Sequence, residues 1–224
     1  MSAPLVTVRG SAQLEGPPDL AAISFTVHSA ASTAEGARSE LFQATAVVQA
    51  LVEEFGSAIE RSALTGLHIA PVFDKKSSAK ITGYRGSCTT ELVIHDFASL
   101  APIVLALTPV ANGELNGPWW SLRPDNPLHR AVRIAAIADA RTRADDYAGA
   151  FGGQVVDLVE VSDLEGGFTG GRERAARSFA MSAADEPGFE FEPPTQMVSG
   201  QVTVRFTMTT PDLAPASTGA NRGT

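Results

Sequence analysis

Residues 81–94 read ITGYRGSCTTELVI. Within this stretch stand Gly83, Tyr84, Arg85, Gly86 and Cys88, the only cysteine of the chain. A thiol is a nucleophile only as its thiolate, so a lone cysteine in this company raises the question whether the stretch is an active site or a strand with an unusual sequence. The alternation of residue types answers it. Tyr84, Gly86, Cys88, Thr90, Leu92 and Ile94 fall on one side of an extended strand. Arg85, Ser87, Thr89, Glu91 and Val93 fall on the other. Cys88 is then a small core residue rather than a nucleophile, Tyr84 points inward with it, and Arg85 points outward with Glu91. Gly83 and Gly86 allow a bulge or a close backbone approach. Arg85 is the one residue of the stretch still open to a functional role.

The sequence holds no other catalytic constellation. His28, His68, His95 and His129 lie on four different predicted elements, none at metal-ligand spacing from another, and there is no CxxC. No G-x-S-x-G elbow, Walker A loop or G-x-G-x-x-G after the first strand occurs. Gly166, Gly167, Gly170 and Gly171 are followed by no helix-opening lysine, so they read as a flexible loop rather than a phosphate cradle. Arg172, Arg174 and Arg177 come next, then Glu186, Glu190 and Glu192. That segment is either a solvated, self-compensating loop or a docking segment for an acidic partner. Glu53-Glu54 and Asp145-Asp146 are paired carboxylates on exposed helix faces, with nothing to push two pKa values apart. No catalytic residue, metal ligand or cofactor-binding residue is therefore assigned. Trp119-Trp120 is different. On a strand, neighbours point to opposite faces, and Trp120 shares its face with Leu122, so Trp120 belongs in the core and Trp119 outside it. Trp119 then marks an interface, or is covered by the following helix or the long loop.

The chain that must position these residues has 224 residues, 44% hydrophobic and 19% charged, with a net charge of −8. This is an ordinary globular composition, able to bury a core without disulfides or metal. The acidic field disfavours nucleic acid and anionic membrane surfaces. One cysteine permits no internal disulfide, and no run of ~18 apolar residues predicts a membrane span. MSAPLVTVRG has neither a basic n-region nor an apolar core, so the expectation is a cytoplasmic protein.

The periodicities predict strands over 5–14, 20–28, 60–73, 81–94, 113–123, 154–164 and 198–210. Pro17-Pro18-Asp19 is a turn in which Asp19 bonds its own backbone. Ser32-Thr33-Ala34-Glu35 is a capping-box pattern opening a helix of about six turns, with Leu41, Ala44, Val48, Leu51 and Phe55 as its apolar stripe. Gly56 is expected to stop it in a left-handed conformation. Pro71 places the 60–73 strand at a sheet edge or bulge. A shorter helix over 96–112 is capped at Asp96 or Ser99. Asn126 as N-cap and Pro127 at the first position open an alanine-rich helix that Gly152-Gly153 end. Asp139 with Arg143, and Arg141 with Asp145, are i,i+4 pairs on its wet face. Residues 165–197 have no periodicity and read as a long mobile loop, and 211–224 as a disordered tail. The class is α+β, with antiparallel sheets and about three helices. Strand, helix, strand, strand, helix, strand over 20–123 is a ferredoxin-like βαββαβ unit, and the remainder forms a second small α+β layer or subdomain.

VTVRGSAQLEGPPDLAAISFTV, LTGLHIAPVFD with ITGYRGSCTTELVI, WSLRPDNPLHRAVRIAAIADARTRADDYAGAFG and the closing VSGQVTVRFTM together resemble the SIMPL-domain family, which includes bacterial periplasmic immunogenic proteins and an oxidative-stress defence protein. The resemblance covers about residues 5–210. It places Pro18, Asp19, Gly83, Tyr84, Asn126 and Pro127 in family-motif positions of structural weight. It implies an α+β module without known catalytic residues, able to build ring- or channel-like homo-oligomers. This chain departs from the family at Trp119, where a small or polar residue is usual, and at Cys88, where asparagine is usual. Bacterial members are commonly exported, unlike the cytoplasmic location read from this N-terminus.

Two functions of different class remain. One is a non-catalytic assembly or interaction module, homo-oligomeric or bound to a protein partner, with Trp119, Arg85, Arg172 and Arg174 as contact candidates and no cofactor. The other is a small-ligand binder or enzyme with its site between the two α+β layers under loop 165–197.

Overall fold

The computed structural model of the protein describes residues 3–74, 77–163 and 191–210. In chain order the elements are β1 (Leu5–Gly16), β2 (Leu20–Ala31), α1 (Ala34–Glu54), β3 (Ile59–Asp74), β4 (Ser77–Ile94), a 3-10 turn (Phe97–Ser99), α2 (Leu100–Leu107), β5 (Gly113–Ser121), α3 (Pro127–Ala150), β6 (Val155–Ser162) and β7 (Gln196–Met208). They divide into two compact units. One is continuous over 17–123 and takes in 191–196; the other gathers 3–16, 124–163 and 197–210. Most of loop 165–197, with Arg172 and Arg174, and the tail 211–224 lie outside the described residues.

The first unit is the α+β arrangement expected over 20–123. Its sheet has the order β3-β4-β2-β5, and each adjacent pair is antiparallel. That is the strand order of a split βαβ unit, with β4 inserted between β2 and β3. The alternation of β2 builds the core. Ala21, Ile23, Phe25 and Val27 are buried with Leu41 and Val48 of α1 and Leu100, Ile103 and Leu107 of α2. Cys88 is buried in the same cluster. Gly86 lets the helix layer come close, because a Cβ there would stand 2.6 Å from Ser29 Oγ and 3.2 Å from Leu41 Cδ2. The Ser29 hydroxyl, thus admitted, donates to the Ala37 carbonyl of α1 at 2.7 Å. β2 and β4 pair without a register shift, so Gly86 serves a close approach and not a bulge.

Three local expectations are corrected here. The N-cap of α1 is Thr33, not Ser32: its hydroxyl accepts from the Gly36 N–H at 3.0 Å. The Gly at the third helical position, rather than Glu35, takes the capping bond, so the S-x-x-E spacing is off by one. Gly56 is not left-handed; α1 closes at Phe55, whose N–H reaches Leu51 and Glu53 carbonyls. Asp19 does not merely close its own turn. Its carboxylate accepts from the Arg123 N–H at 2.7 Å, and its N–H donates to Ser121 O at 2.9 Å, tying the entry of β2 to the exit of β5. Pro18 beside it is buried.

The second unit is a three-stranded sheet, β1-β7-β6, under α3. The Met208 N–H donates to Pro4 O at 2.9 Å, so the start of β1 meets the end of β7 and the two run antiparallel. β6 and β7 are also antiparallel, with two register shifts. Asn126 caps α3 as expected, accepting from the Leu128 N–H at 2.8 Å, with Pro127 at its start. Gly152 ends it at φ 73°, with the Gly153 N–H bonded to Ala148 O and the Gly152 N–H to Gly149 O. Every fourth residue of α3, from Val132 through Ala136, Ala140 and Ala144 to Ala148, is buried. This narrow stripe of small residues lets the helix backbone lie on Gly10 of β1. Asp139 is not simply on the wet face: besides its ion pair with Arg143 at 3.0 Å, it accepts from the Ser11 N–H of β1 at 2.9 Å. The Arg141–Asp145 pair is not among the ion pairs of the described residues.

Candidate functional site

The four-stranded sheet has one face against α1 and α2 and one face turned from them. Because Ala21, Ile23, Phe25 and Val27 pack on the helices, Ala22, Ser24, Thr26 and His28 must face away. The registers extend this face across all four strands. Thr26 stands between Thr89 of β4 and Glu114 of β5. Arg85 stands between Ala30 and Ala70. Trp119 lies beside Ala22, and Trp120 beside Ala21 on the opposite face.

The centre of this face has low relief. Ala22, Ser24, Thr26, Ser87 and Thr89 are short side chains, half-buried by their neighbours. Thr26 and Thr89 share a hydroxyl–hydroxyl bond of 2.9 Å, which satisfies polar groups that would otherwise compete for contacts. Trp119 stands at the margin, 38% exposed. Trp120 packs edge-on against Phe97 with ring centroids 4.9 Å apart. The two neighbouring tryptophans thus divide between surface and core. The difference lies in which strand face each occupies.

The register also brings together residues that sequence spacing separates. His28 of β2 and His68 of β3 both stand opposite Ser87 of β4, so imidazole, hydroxyl and imidazole form one row across three strands. Arg85 belongs to the adjacent row. Strand pairing creates this juxtaposition, and only a correct register assigned from sequence would have found it. His28 Nε2 lies 3.6 Å from a Glu114 carboxylate oxygen, both groups well exposed. His95 and His129 join neither row: one follows β4, the other lies in the first turn of α3. Among the described residues no three His, Cys, Asp or Glu side chains are gathered as ligands for a metal ion. Near Arg85 an open cleft of about 360 Å³ lies between Ala30–Ser32 and Thr82–Arg85. Gly83 and Tyr84 line it, and a Cβ on Gly83 would stand 3.0 Å from Ala31 O.

Elsewhere in the described residues the electrostatics are those of a surface. Glu53, Glu54, Asp145 and Asp146 are exposed on helices. Arg123 pairs with Glu60 and Arg205 with Glu160. Asp139 has its carboxyl held below the usual carboxylate range, chiefly because the Ser11 N–H donates to its charged form. No helix of the described residues is long and apolar enough to cross a membrane.

Three solved structures resemble the chain weakly. Two are hydantoinase/carbamoylase family amidases from Burkholderia ambifaria and Burkholderia vietnamiensis. Their identities are 14% and 13% and their TM-scores 0.33 and 0.32. They cover 47% and 50% of this chain, which spans 29% of each of them. The third is a putative amidohydrolase/peptidase from Burkholderia cenocepacia, 18% identical with a TM-score of 0.30, covering 58% of this chain and 34% of its own. Likeness at this level carries no argument about activity. No curated protein matches the chain. The family model described as SIMPL, protein of unknown function (DUF541), matches residues 6–206, and the chain therefore belongs to the SIMPL family.

Proposed function

We propose that the protein is a non-catalytic assembly module that joins copies of itself, or a protein partner, through the helix-free face of the four-stranded sheet. One observation carries this reading: Trp119, exposed beside a half-buried Trp120 that packs on the core, at the margin of a patch built from short side chains. A flat patch of this kind offers little relief to bind a small molecule, but a second flat surface can cover it. A tryptophan at its margin supplies a large rigid contact, one of the side chains enriched at energetic hot spots. Arg85, in the row next to His28, Ser87 and His68, gives such an interface a charged rim.

Light scattering on the full chain tests the reading. The expected result is a mass above that of one 23.4 kDa chain. A Trp119→Ser variant is expected to lower that mass, or to lose a partner captured by the wild type. A wild type that stays monomeric at high concentration and retains no partner would overturn the proposal.

A further inference from the structure

Among the described residues β1 is an outer strand of the sheet β1-β7-β6, and its free side can be followed residue by residue. Pro4 accepts from the Met208 N–H, so residues of even number in β1 turn their backbone groups toward β7. Those of odd number, including Arg9, Ser11, Gln13 and Glu15, turn theirs outward. An outer strand with free N–H and C=O groups is a template for another chain. At one of these positions the edge is closed. The Ser11 N–H donates to Asp139 Oδ2 at 2.9 Å. Asp139 reaches it because α3 lies so close to β1 at Gly10, and Arg143 Nε at 3.0 Å holds the same carboxylate oxygen.

We infer that Asp139 guards the outer edge of β1 against a second copy of the same strand. The excluded partner is specified by register. Antiparallel pairing about Ala12 sets Arg9 of each copy opposite Glu15 of the other, and Ser11 opposite Gln13. All four are outward-directed positions, so the ladder bonds form. Arg9 and Glu15 are exposed, so two opposite-charge pairs flank the axis. A twofold pairing of this kind closes on itself as a dimer. The bond it needs from Ser11 to Gln13 of the other copy is the bond Asp139 already takes. This edge belongs to the three-stranded sheet and Trp119 to the four-stranded one, so the expected outcome is a change from the wild-type mass, whatever that mass is.

The full chain is compared as wild type, Asp139→Ala, Asp139→Asn and the double variant Asp139→Ala/Arg9→Glu, by light scattering over a concentration series with circular dichroism as the check on folding. Asp139→Ala is expected to double the wild-type mass as concentration rises. Asp139→Asn, which keeps an acceptor oxygen, is expected to keep the wild-type mass. Arg9→Glu in the alanine background sets like charges opposite each other and is expected to abolish the gain. A folded Asp139→Ala variant with the wild-type mass throughout would overturn the inference, and so would a gain that Arg9→Glu leaves intact. A second measurement needs no variant. In the wild type the Ser11 amide is expected to exchange hydrogen about tenfold or more slowly than the Arg9 amide on the same edge. Equal rates would overturn the guard.

Discussion

Gly10→Ala is the sharpest test of how α3 sits on its sheet. A Cβ at position 10 would lie 2.0 Å from Ala136 O, 2.6 Å from Ala140 N and 2.7 Å from Ala140 Cβ. Ordinary contact begins at 3.4 Å, which leaves about 1.4 Å for the helix or the strand to make up. Two of the three obstructing atoms are backbone, so no rotamer change relieves them. A separation of that size removes about half or more of the dispersion along the alanine seam. Overpacking in a well-packed core costs typically 1–3 kcal/mol, and backbone obstruction puts this site at the top of that range, about 3 kcal/mol. The loss of freedom in the unfolded chain returns up to about 1 kcal/mol. The expected net loss is about 2–3 kcal/mol, a fall of roughly 5–10 °C in melting temperature for a chain of this length. Urea denaturation and thermal melts followed by circular dichroism measure both. Gly200→Ala is the control, since its nearest obstruction is Val132 O at 3.2 Å, within reach of a small adjustment. A Gly10→Ala protein within about 0.5 kcal/mol of wild type, or no less stable than Gly200→Ala, would refute the close seat of α3 on β1.

Two further outcomes are expected. Thr33→Ala should destabilise by about 1 kcal/mol while Ser32→Ala changes stability little, because only Thr33 takes the capping bond; equal effects in denaturation would return the cap to Ser32. Asp139, whose folded carboxyl is lowered chiefly by the Ser11 N–H, contributes stability that is present above the unfolded carboxylate value near pH 4 and lost as pH falls through the lower folded value. The drop in melting temperature below about pH 4 should therefore be shallower in Asp139→Asn than in wild type, and parallel curves would count against the assignment.

Much of the fold is legible in the residue pattern, because burial and period coincide there. β2 alternates cleanly since one of its faces is the core, and the inward assignment of Cys88 and Trp120 follows from the same rule. Asn126-Pro127 marks the start of α3 through two independent preferences that agree. Sequence loses its grip where a long-range partner decides. Asp19 and Asp139 look like a turn residue and a helix-surface residue, yet their carboxylates accept backbone N–H groups from Arg123 and Ser11. The cap of α1 moves by one residue because Ser32 and Thr33 are chemically equivalent candidates. The row of His28, Ser87 and His68 depends on a register that no local signal in β2, β3 or β4 states alone.

The three-stranded sheet joins β1, near the start of the chain, to β7, which begins at Gln196. This arrangement has a consequence for synthesis. At a translation rate of 5–20 residues per second, on the order of 10–40 s separates the emergence of β1 from that of its partner. The first unit, whose strands and helices lie consecutively over 17–123, can form within that interval, while β1 waits with both edges unpaired. α3 emerges before β7 and is the first element able to cover β1. The order in which the ribosome delivers these segments thus makes the helix the early companion of that strand and the last strand its late one.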